Sequence, residues 1–159
     1  MNITIRNAES GDNLKIHLLQ EEIAKLHFDG RPDLFRQEAR YYSDEAFSEM
    51  LNDSNHFIFI AENESGEIAG YAFAYIIKYR GHSTYRDFDM FYIGDICVLS
   101  TYRRHGIGKK LFEKCKLQAI NSHCDNIDLG VFSFNRDAIA FYESCGMSER
   151  MRRMEMRID

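Results

Sequence analysis

The segment YRRHGIGKKLF, residues 102–112, combines two closely spaced glycines with several basic side chains. Gly106 and Gly108 carry no side chain, so the backbone there can approach a ligand closely. The basic residues beside them are Arg103, Arg104 and Lys109. If a helix begins near Gly106, its first N–H groups have no partner within the helix and favour an anion such as phosphate. The segment therefore predicts a site for a small, negatively charged ligand.

Three phosphate-binding patterns can be compared with this segment. The dinucleotide pattern G-x-G-x-x-G requires a third glycine where this chain has Leu111. The P-loop pattern G-x-x-x-x-G-K-[ST] requires glycine in place of Arg103 and Ser or Thr in place of Lys110. The pattern R/Q-x-x-G-x-G/A matches residues 103–108 at every fixed position. The first two patterns are excluded, and the third agrees with the sequence.

A second pattern lies in VFSFNRDAIAFYESCGM, residues 131–147. Here a strand ends, Asn135 opens a helix, and the helix closes on A-x-x-F-Y-x-x-x-G-F with Met147 in place of the final Phe. Together the two patterns resemble the GNAT superfamily of acetyl-CoA-dependent N-acetyltransferases over roughly residues 90–150. The segment HFDGRPDLFR, residues 27–36, is also similar to a loop of many bacterial members.

This resemblance implies an α/β (α+β) fold, with a mixed, mostly antiparallel sheet, a central parallel splay and helices on both faces. Residues 1–159 would form one N-acetyltransferase domain. The co-substrate acetyl-CoA would lie in the splay, with its pantetheine amides paired to a strand backbone as an added strand would be. The residues that the resemblance assigns to acetyl-CoA are Ile96, Cys97, Val98, Arg103, Arg104, His105, Gly106, Ile107, Gly108, Lys109, Asn135 and Tyr142. No metal site is expected.

Acetyl transfer to an amine makes three demands on such a site. An alkylammonium, with a pKa near ~10.4, must lose its proton. The thioester carbonyl must be polarised, which a backbone N–H of the strand at 96–98 can do. The leaving thiolate must be stabilised or protonated. The resemblance places Tyr142 beside the sulfur, and a thiol and a phenol differ by only about 2 kcal/mol in proton affinity, so Tyr142 is the expected general acid.

Asp95 is the candidate general base. It interrupts the apolar strand YIGDICV, where a carboxylate is costly unless it is used or paired. Burial would raise its pKa toward the range in which a base is useful, and it could act directly or through water. The alternatives are structural: Asp95 could pair with a basic residue, and Tyr142 could be an ordinary core residue of an amphipathic helix.

The acceptor is expected to be a primary amine of a small molecule or of a protein N-terminus. Candidate pocket residues are the aromatic side chains His27, Phe28, Phe35, Tyr41, Tyr42, Tyr75, Tyr79, Tyr85 and Phe88, with Asp87, Asp89 and Asp95 as attractors of a cation. One alternative is a non-catalytic CoA-binding domain with a regulatory or partner-binding role. A Cys or Ser hydrolase ranks last, because the chain contains no G-x-S-x-G.

The elements that must position these residues follow from hydrophobic periodicity and turn residues. The predicted order is a strand at 3–6, a helix from Ser10 or Asp12 to about Leu26, a helix at 44–51, strands at 56–63, 68–79 and 90–99, a helix from about 106, a strand at 126–132, a helix at 135–145 closed by Gly146, and a strand at 148–158. The segment from 90 to 132 predicts a right-handed parallel crossover.

Composition narrows the partners. The chain has 20 Lys and Arg against 25 Asp and Glu, a formal charge of −5, which disfavours non-specific binding of nucleic acid or anionic membranes. No apolar run of membrane-spanning length is present, and the first residues do not resemble a signal peptide. The four cysteines fit no zinc spacing, so we expect reduced thiols and a cytoplasmic protein. The segment 148–158 is a candidate edge strand whose methionines suggest a homodimer, and the alternative is that the same methionines pack in the core.

Overall fold

The computed structural model describes residues 2–38 and 42–158. The five strands are β1 (Ile3–Asn7), β2 (His56–Asn63), β3 (Ile68–Tyr79), β4 (Phe88–Val98) and β5 (Asn126–Asp128). The helices are α1 (Asp12–Lys15), α2 (His17–Gly30), α3 (Asp44–Asn52), α4 (Ile107–Asn121) and α5 (Arg136–Ser144), with a short 3-10 helix at Ser100–Tyr102. No helix among these residues is both long and apolar enough to cross a membrane.

The strands form one sheet in the order β1-β2-β3-β4-β5. The first three pairs are antiparallel, whereas β4 and β5 are parallel and are joined through α4. A mixed, mostly antiparallel sheet with one parallel pair confirms the predicted fold class, and the parallel crossover lies where the sequence placed it.

Helices cover both faces of the sheet because the central strands are apolar on both sides. On β3, Tyr71 and Phe73 pack with Leu19 of α2 and Phe47 of α3. The alternate residues of β3, Ala72 among them, face the opposite side and pack with side chains of α4. Each fully buried Leu, Ile or Phe contributes about 1.5–3 kcal/mol to folding, so two such clusters hold the sheet firmly in place.

The sheet opens between β4 and β5. The three residues Met90, Phe91 and Tyr92 pair with β5, but β4 continues to Val98 without a strand on that side among the described residues. The predicted strand at 126–132 is therefore too long: it ends at Asp128, and Val131 and Phe132 are exposed. We refer to this opening as the splay.

The first predicted helix is also corrected. It is divided at Ile16 into α1 and α2, and no side chain caps the first turn from Ser10. The Asp12 carboxylate instead accepts hydrogen bonds from the Arg6 guanidinium at 2.6 and 3.0 Å and from the Glu9 N–H at 2.8 Å. The bonds with Arg6 hold the short helix α1 against β1. This contact accounts for the separation of α1 from α2.

The predicted final strand is wrong. Residues 148–158 belong to no strand or helix, and the segment is held by ion pairs of Arg150 with Asp128 at 2.6 Å and of Glu155 with Arg31 at 2.5 Å. Alternating apolar residues favour an extended conformation, but a strand also needs a pairing partner, and this segment pairs with no strand among the described residues. Its large apolar side chains are 78–84% exposed: Met151, Met154, Met156 and Ile158.

Candidate functional site

The glycine-rich loop turns sharply into α4. Both Arg104 and Gly106 adopt left-handed backbone conformations, with φ of 65° and 75°. Glycine adopts this conformation readily, whereas an arginine does so at a cost, and such strain is concentrated at functional loops. Ile107 is buried in the core and fixes the start of the helix. The sequence therefore builds a rigid turn whose backbone is exposed.

The loop presents a set of hydrogen-bond donors. None of the backbone N–H groups from residue 104 to residue 109 donates to another backbone group among the described residues. The side chains of Arg104 and Lys109 are exposed and form no ion pair with a described residue. Exposed N–H groups and positive charge at a helix N-terminus favour the binding of an anion, which is the ligand that the sequence predicts for this loop.

Arg103 has a different environment from its neighbours. Its Nε donates to the Val98 carbonyl at 3.0 Å, and its guanidinium pairs with Glu22 of α2 at 3.0 Å. Glu22 also accepts hydrogen bonds from the N–H and the hydroxyl of Ser100, at 3.1 and 2.9 Å. The Arg103 side chain therefore connects β4, the loop and α2. Its hydrogen bond also leaves the Val98 carbonyl already engaged within the protein.

A β-bulge lies in β4 at the splay. Phe73 pairs with Asp95 while the next residue, Ala74, pairs with Ile93, so Gly94 is an extra residue without a partner on β3. Gly94 is exposed although its strand lies inside the sheet. Bulges redirect side chains and are common beside active sites. The bulge turns Asp95 to the face that carries Tyr71, and leaves the 94–98 backbone open to the splay.

Asp95 is the acidic side chain at the centre of the site. Its carboxylate accepts a hydrogen bond from the hydroxyl of Tyr71, which is 1% exposed. Burial raises the pKa of Asp95 to about 6, although the bonds from Tyr71 and from the Ile96 backbone favour the charged form. It forms no ion pair with a described residue, so the alternative of a structural salt bridge does not describe this site.

Tyr142 lies on the opposite face of the sheet from Tyr71, in the cluster that contains the side chains of α4. It projects from α5 and packs near Phe112 and Phe141, with ring centroids 6.4 and 5.1 Å away. Burial, and next the negative charge of Asp95, raise the pKa of the Tyr142 phenol well above its usual value.

A cleft of about 760 Å³ lies between α2, the glycine-rich loop and the start of α5. Asn135, predicted to contact acetyl-CoA, lines it and caps α5 by accepting the Ala138 N–H at 3.1 Å. The Phe134 ring lies so close to Gly30 that a Cβ on Gly30 would overlap it. The cleft is lined by Glu22, Lys25, Leu26, Asp29, Gly30, Ser100, Arg103, Phe134, Asn135, Arg136 and Asp137.

The predicted acceptor aromatics separate into three groups. Tyr42 stacks at 5.0 Å on Phe73, the β3 partner of Asp95, and Tyr75 packs against Tyr92 at 5.3 Å. His27 and Phe35 stack at 4.9 Å and contact Phe132 beside the splay, while Phe28 has no ring contact with a described aromatic. Tyr79, Tyr85 and Phe88 cluster at the far end of β3. Tyr41 lies outside the described residues.

The remaining acidic and cysteine candidates lie elsewhere. Asp87 accepts the Gly81 N–H, and Asp89 pairs with Arg80 at 2.6 Å, both at the far end of the β3–β4 pair. Cys97 and Cys115 are buried, as predicted, and burial raises the pKa of both thiols. Within residues 2–38 and 42–158, no group of three His, Cys, Asp or Glu could hold a metal ion.

Sequence reasoning missed three contributors to this site. They are Tyr71, Gly94 and Glu22, and all three lie outside the two sequence patterns at 103–108 and 131–147. A glycine inside the apolar strand YIGDICV is itself a signal for a bulge. The contacts of Tyr71 with Asp95 and of Glu22 with Arg103 depend on strand register and helix docking, for which a single sequence carries no signal.

Comparison with known proteins identifies the family. The family model described as Acetyltransferase (GNAT) family matches residues 20–147. The chain belongs to the GNAT acetyltransferase family. A crystallised tetramutant of the BH1408 protein from Bacillus halodurans superposes with a TM-score of 0.92 at 26% identity, covering 98% of this chain and 99% of that one.

Two curated relatives of this GNAT protein match shorter segments. Thialysine N-epsilon-acetyltransferase of Mus musculus is 31% identical over 88 residues, which is 55% of this chain and 49% of the mouse protein. N-alpha-acetyltransferase 30 of Saccharomyces cerevisiae is 46% identical over 63 residues, which is 40% of this chain and 35% of the yeast protein. The matches thus span half or less of those relatives' length.

Proposed function

We propose that this GNAT protein transfers the acetyl group of acetyl-CoA to a primary amine, by direct attack in a ternary complex. The acceptor is a small molecule or a protein N-terminus. The observation that carries the proposal is the open edge of β4, with Asp95 on the face of the sheet that carries Tyr71 and Tyr142 packed on the other face. The names of the curated relatives, which specify an ε-nitrogen and an α-nitrogen, support an amine acceptor.

The chain offers acetyl-CoA three kinds of contact. The N–H groups of residues 104–109, with the charges of Arg104 and Lys109, suit the pyrophosphate. The unpaired backbone edge at Ile96 and Cys97 suits the pantetheine amides, as an added strand would. The Asn135 side chain lines the adjoining cleft. In this proposal Arg103 and His105 shape the loop, because Arg103 is bonded to Glu22 and to the Val98 carbonyl.

Asp95 would remove the proton of the acceptor ammonium. An ordinary aspartate near pKa ~3.9 lies more than six units below an alkylammonium near ~10.4, so it is a poor base for that task. Burial raises the pKa of Asp95 to about 6, which narrows the gap to about four units. Desolvation in the splay lowers the pKa of the ammonium, because burial disfavours its charged form, and so reduces the difference between the two pKa values further.

Tyr142 would protonate the leaving thiolate. Burial keeps its phenol protonated throughout the neutral pH range, so the proton is always present to be donated. The same raised pKa makes donation costlier than for an exposed tyrosine. A thiolate released into the same buried splay is also more basic than in water, which offsets much of this cost.

We further propose that the protein forms a homodimer through residues 148–158. The support is the exposure of the four large apolar side chains of this segment, which its own chain does not cover. Contiguous exposed apolar surface next to an open sheet edge favours self-association.

A thermal-shift titration tests acetyl-CoA binding. Acetyl-CoA at 100 times its dissociation constant should stabilise the fold by about 2.7 kcal/mol and raise the melting temperature, whereas NAD should not. The variant Gly106→Glu places a side chain and a negative charge in the loop and should abolish the shift. Gly81→Glu is the matched control, since Gly81 also has a positive φ, of 62°, and open space around its Cβ. Absence of a shift with the unmodified protein would contradict the proposal.

An activity assay tests the chemical step. Tyr142→Phe should lower kcat about 100-fold or more through loss of a general acid, while the acetyl-CoA-induced thermal shift persists. Release of thiol from acetyl-CoA in the presence of an amine measures kcat. A Tyr142→Phe variant with undiminished turnover would remove Tyr142 from the mechanism.

A further inference from the structure

The cleft proposed for acetyl-CoA carries as many acidic as basic side chains. Its lining therefore has no net formal charge, with Glu22, Asp29 and Asp137 against Lys25, Arg103 and Arg136. Acetyl-CoA is strongly negative, because it carries a pyrophosphate and a further phosphate. Negative side chains in a cleft repel such a ligand. The acidic residues of this cleft therefore oppose the binding of the co-substrate.

Glu22 is the acidic residue of the cleft that contacts the segment between β4 and α4. Its Oε2 accepts hydrogen bonds from the Arg103 guanidinium at 3.0 Å and from the Ser100 N–H at 3.1 Å. Its Oε1 accepts from the Ser100 hydroxyl at 2.9 Å. Three donors thus fix the orientation of one carboxylate. Because Glu22 lies in α2, these bonds connect two of the elements that form the cleft.

Arg103 is engaged by protein groups, unlike the other basic residues of the glycine-rich loop. Its Nε donates to the Val98 carbonyl at 3.0 Å, and its terminal nitrogen donates to Glu22. Arg104 and Lys109 are exposed and form no ion pair with a described residue. The charge of Arg103 is therefore balanced within the protein, whereas the charges of Arg104 and Lys109 are available to a ligand.

The pair of Glu22 with Arg103 is open to competition from a bound anion. The two side chains are 31% and 50% exposed, respectively, and ion pairs in contact with solvent contribute little to stability. A phosphate group offers a guanidinium a charge-assisted contact with two parallel hydrogen bonds. Arg103 lines the cleft and directly precedes the N–H donors of residues 104–109. The Glu22 carboxylate and a phosphate of the co-substrate would therefore compete for the same guanidinium.

We propose that Glu22 is a positioning residue that withholds Arg103 from the phosphates of acetyl-CoA and thereby limits the affinity of the protein for its co-substrate. The inference rests on the proposed binding of acetyl-CoA in this cleft. Acetyl-CoA and the product CoA carry the same phosphates, so Glu22 weakens the binding of both. Weaker binding of CoA favours its release, and product release limits turnover in many enzymes.

Calorimetric titration with acetyl-CoA tests the inference through a double-mutant cycle. Glu22→Gln removes the charge, keeps an acceptor for Ser100, and should lower the dissociation constant about fivefold, because Arg103 becomes available to a phosphate. Arg103→Gln introduces the other residue that the pattern R/Q-x-x-G-x-G/A allows, and it should change the dissociation constant by less than about twofold. In Glu22→Gln/Arg103→Gln the fivefold gain should disappear, which shows that the two residues act together.

Two controls separate this role from a general effect of charge or structure. Glu21→Gln removes the same charge from an exposed residue of α2 outside the cleft and should leave the dissociation constant unchanged. The second control is S-acetylpantetheine, which has the thioester and the pantetheine arm but no phosphate. Its dissociation constant, measured by competition with acetyl-CoA, should be the same for the unmodified protein and for Glu22→Gln.

The outcomes distinguish this inference from the proposed function. An unchanged or raised dissociation constant for acetyl-CoA in Glu22→Gln overturns the inference and leaves acetyl-CoA binding in place. A gain that persists in the double variant, or that extends to S-acetylpantetheine, also overturns it, because Arg103 or the phosphates then have no part in the effect. Absence of acetyl-CoA binding by the unmodified protein contradicts the proposed function, and the inference fails with it.

Discussion

At the scale of single residues, the proposed general base is a carboxylate that forms no ion pair with a described residue. Asp95 is half-buried in the apolar strand β4, and its charged form is favoured by hydrogen bonds from the Tyr71 hydroxyl and the Ile96 backbone. A positive partner would lower its pKa by one to three units and weaken it as a base. Neutral donors hold the carboxylate in one orientation while its pKa remains near the range useful for proton transfer.

Tyr71→Phe should displace the pH profile of the reaction. The Tyr71 hydroxyl favours the charged form of Asp95, so its removal should raise the pKa of Asp95 above about 6. We expect the acidic limb of kcat/KM to move up by roughly one unit, with little loss at pH 8.5. Tyr79→Phe, on the same strand but far from Asp95, is the control. A uniform loss at every pH would indicate a packing role alone.

Asp95→Asn should lower the turnover of the protein and raise its stability at pH 8. The pKa of Asp95 rises from 3.8 to about 6 on folding, so its contribution is most favourable below pH 4 and is lost as pH rises through 6. At pH 8 the charged carboxylate costs about 3 kcal/mol, which asparagine removes while still accepting the Tyr71 hydrogen bond. The melting temperature of the variant should exceed that of the unmodified protein at pH 8 and match it near pH 4.

Kinetics complete the test of Asp95. Loss of a general base should lower turnover about 100-fold or more. A less stable Asp95→Asn variant at pH 8 would show that the carboxylate forms a favourable interaction of its own, and a fully active variant would leave proton removal to water.

At the scale of elements, the sequence predicted what is decided locally. The β2–β3 hairpin has the predicted bounds because its aromatic and β-branched residues flank the turn-forming ESGE. Gly146 follows α5 with φ of 91°, as expected of a residue that closes a helix. The short β5 and the unpaired segment 148–158 were not predicted, because a strand requires a partner that may lie anywhere in the chain. The bulge at Gly94 depends on register for the same reason.

Gly30→Ala should disturb the contact between α2 and the loop at 132–134. The added methyl group would overlap the Phe134 ring, which also stacks on Phe132 at 5.5 Å. The ring must move, and it lines the cleft proposed for acetyl-CoA. We expect KM for acetyl-CoA to rise several-fold and stability to fall by about 1–3 kcal/mol. Gly11→Ala, where a Cβ meets no neighbour within 4 Å, is the control. Unchanged KM would show that this contact does not shape the cleft.

At the scale of the whole molecule, the segment 148–158 is the surface through which we propose that the protein dimerises. Its ion pairs with Asp128 and Arg31 hold it near β5 and the end of α2, but its apolar side chains remain exposed. Burying them requires a second surface. A second copy supplies one without any new partner, since the outer edge of β5 is the end of the sheet.

Light scattering coupled to gel filtration should give twice the chain mass of 18.7 kDa. Met154→Lys/Met156→Lys places two charges where apolar contact is required and should raise the dimer dissociation constant at least about tenfold, because a buried unpaired charge is strongly disfavoured. Met154→Leu/Met156→Leu retains apolar side chains of similar volume and should remain dimeric. If the unmodified protein has the mass of one chain at micromolar concentration, the exposed methionines have another role and the dimer proposal is wrong.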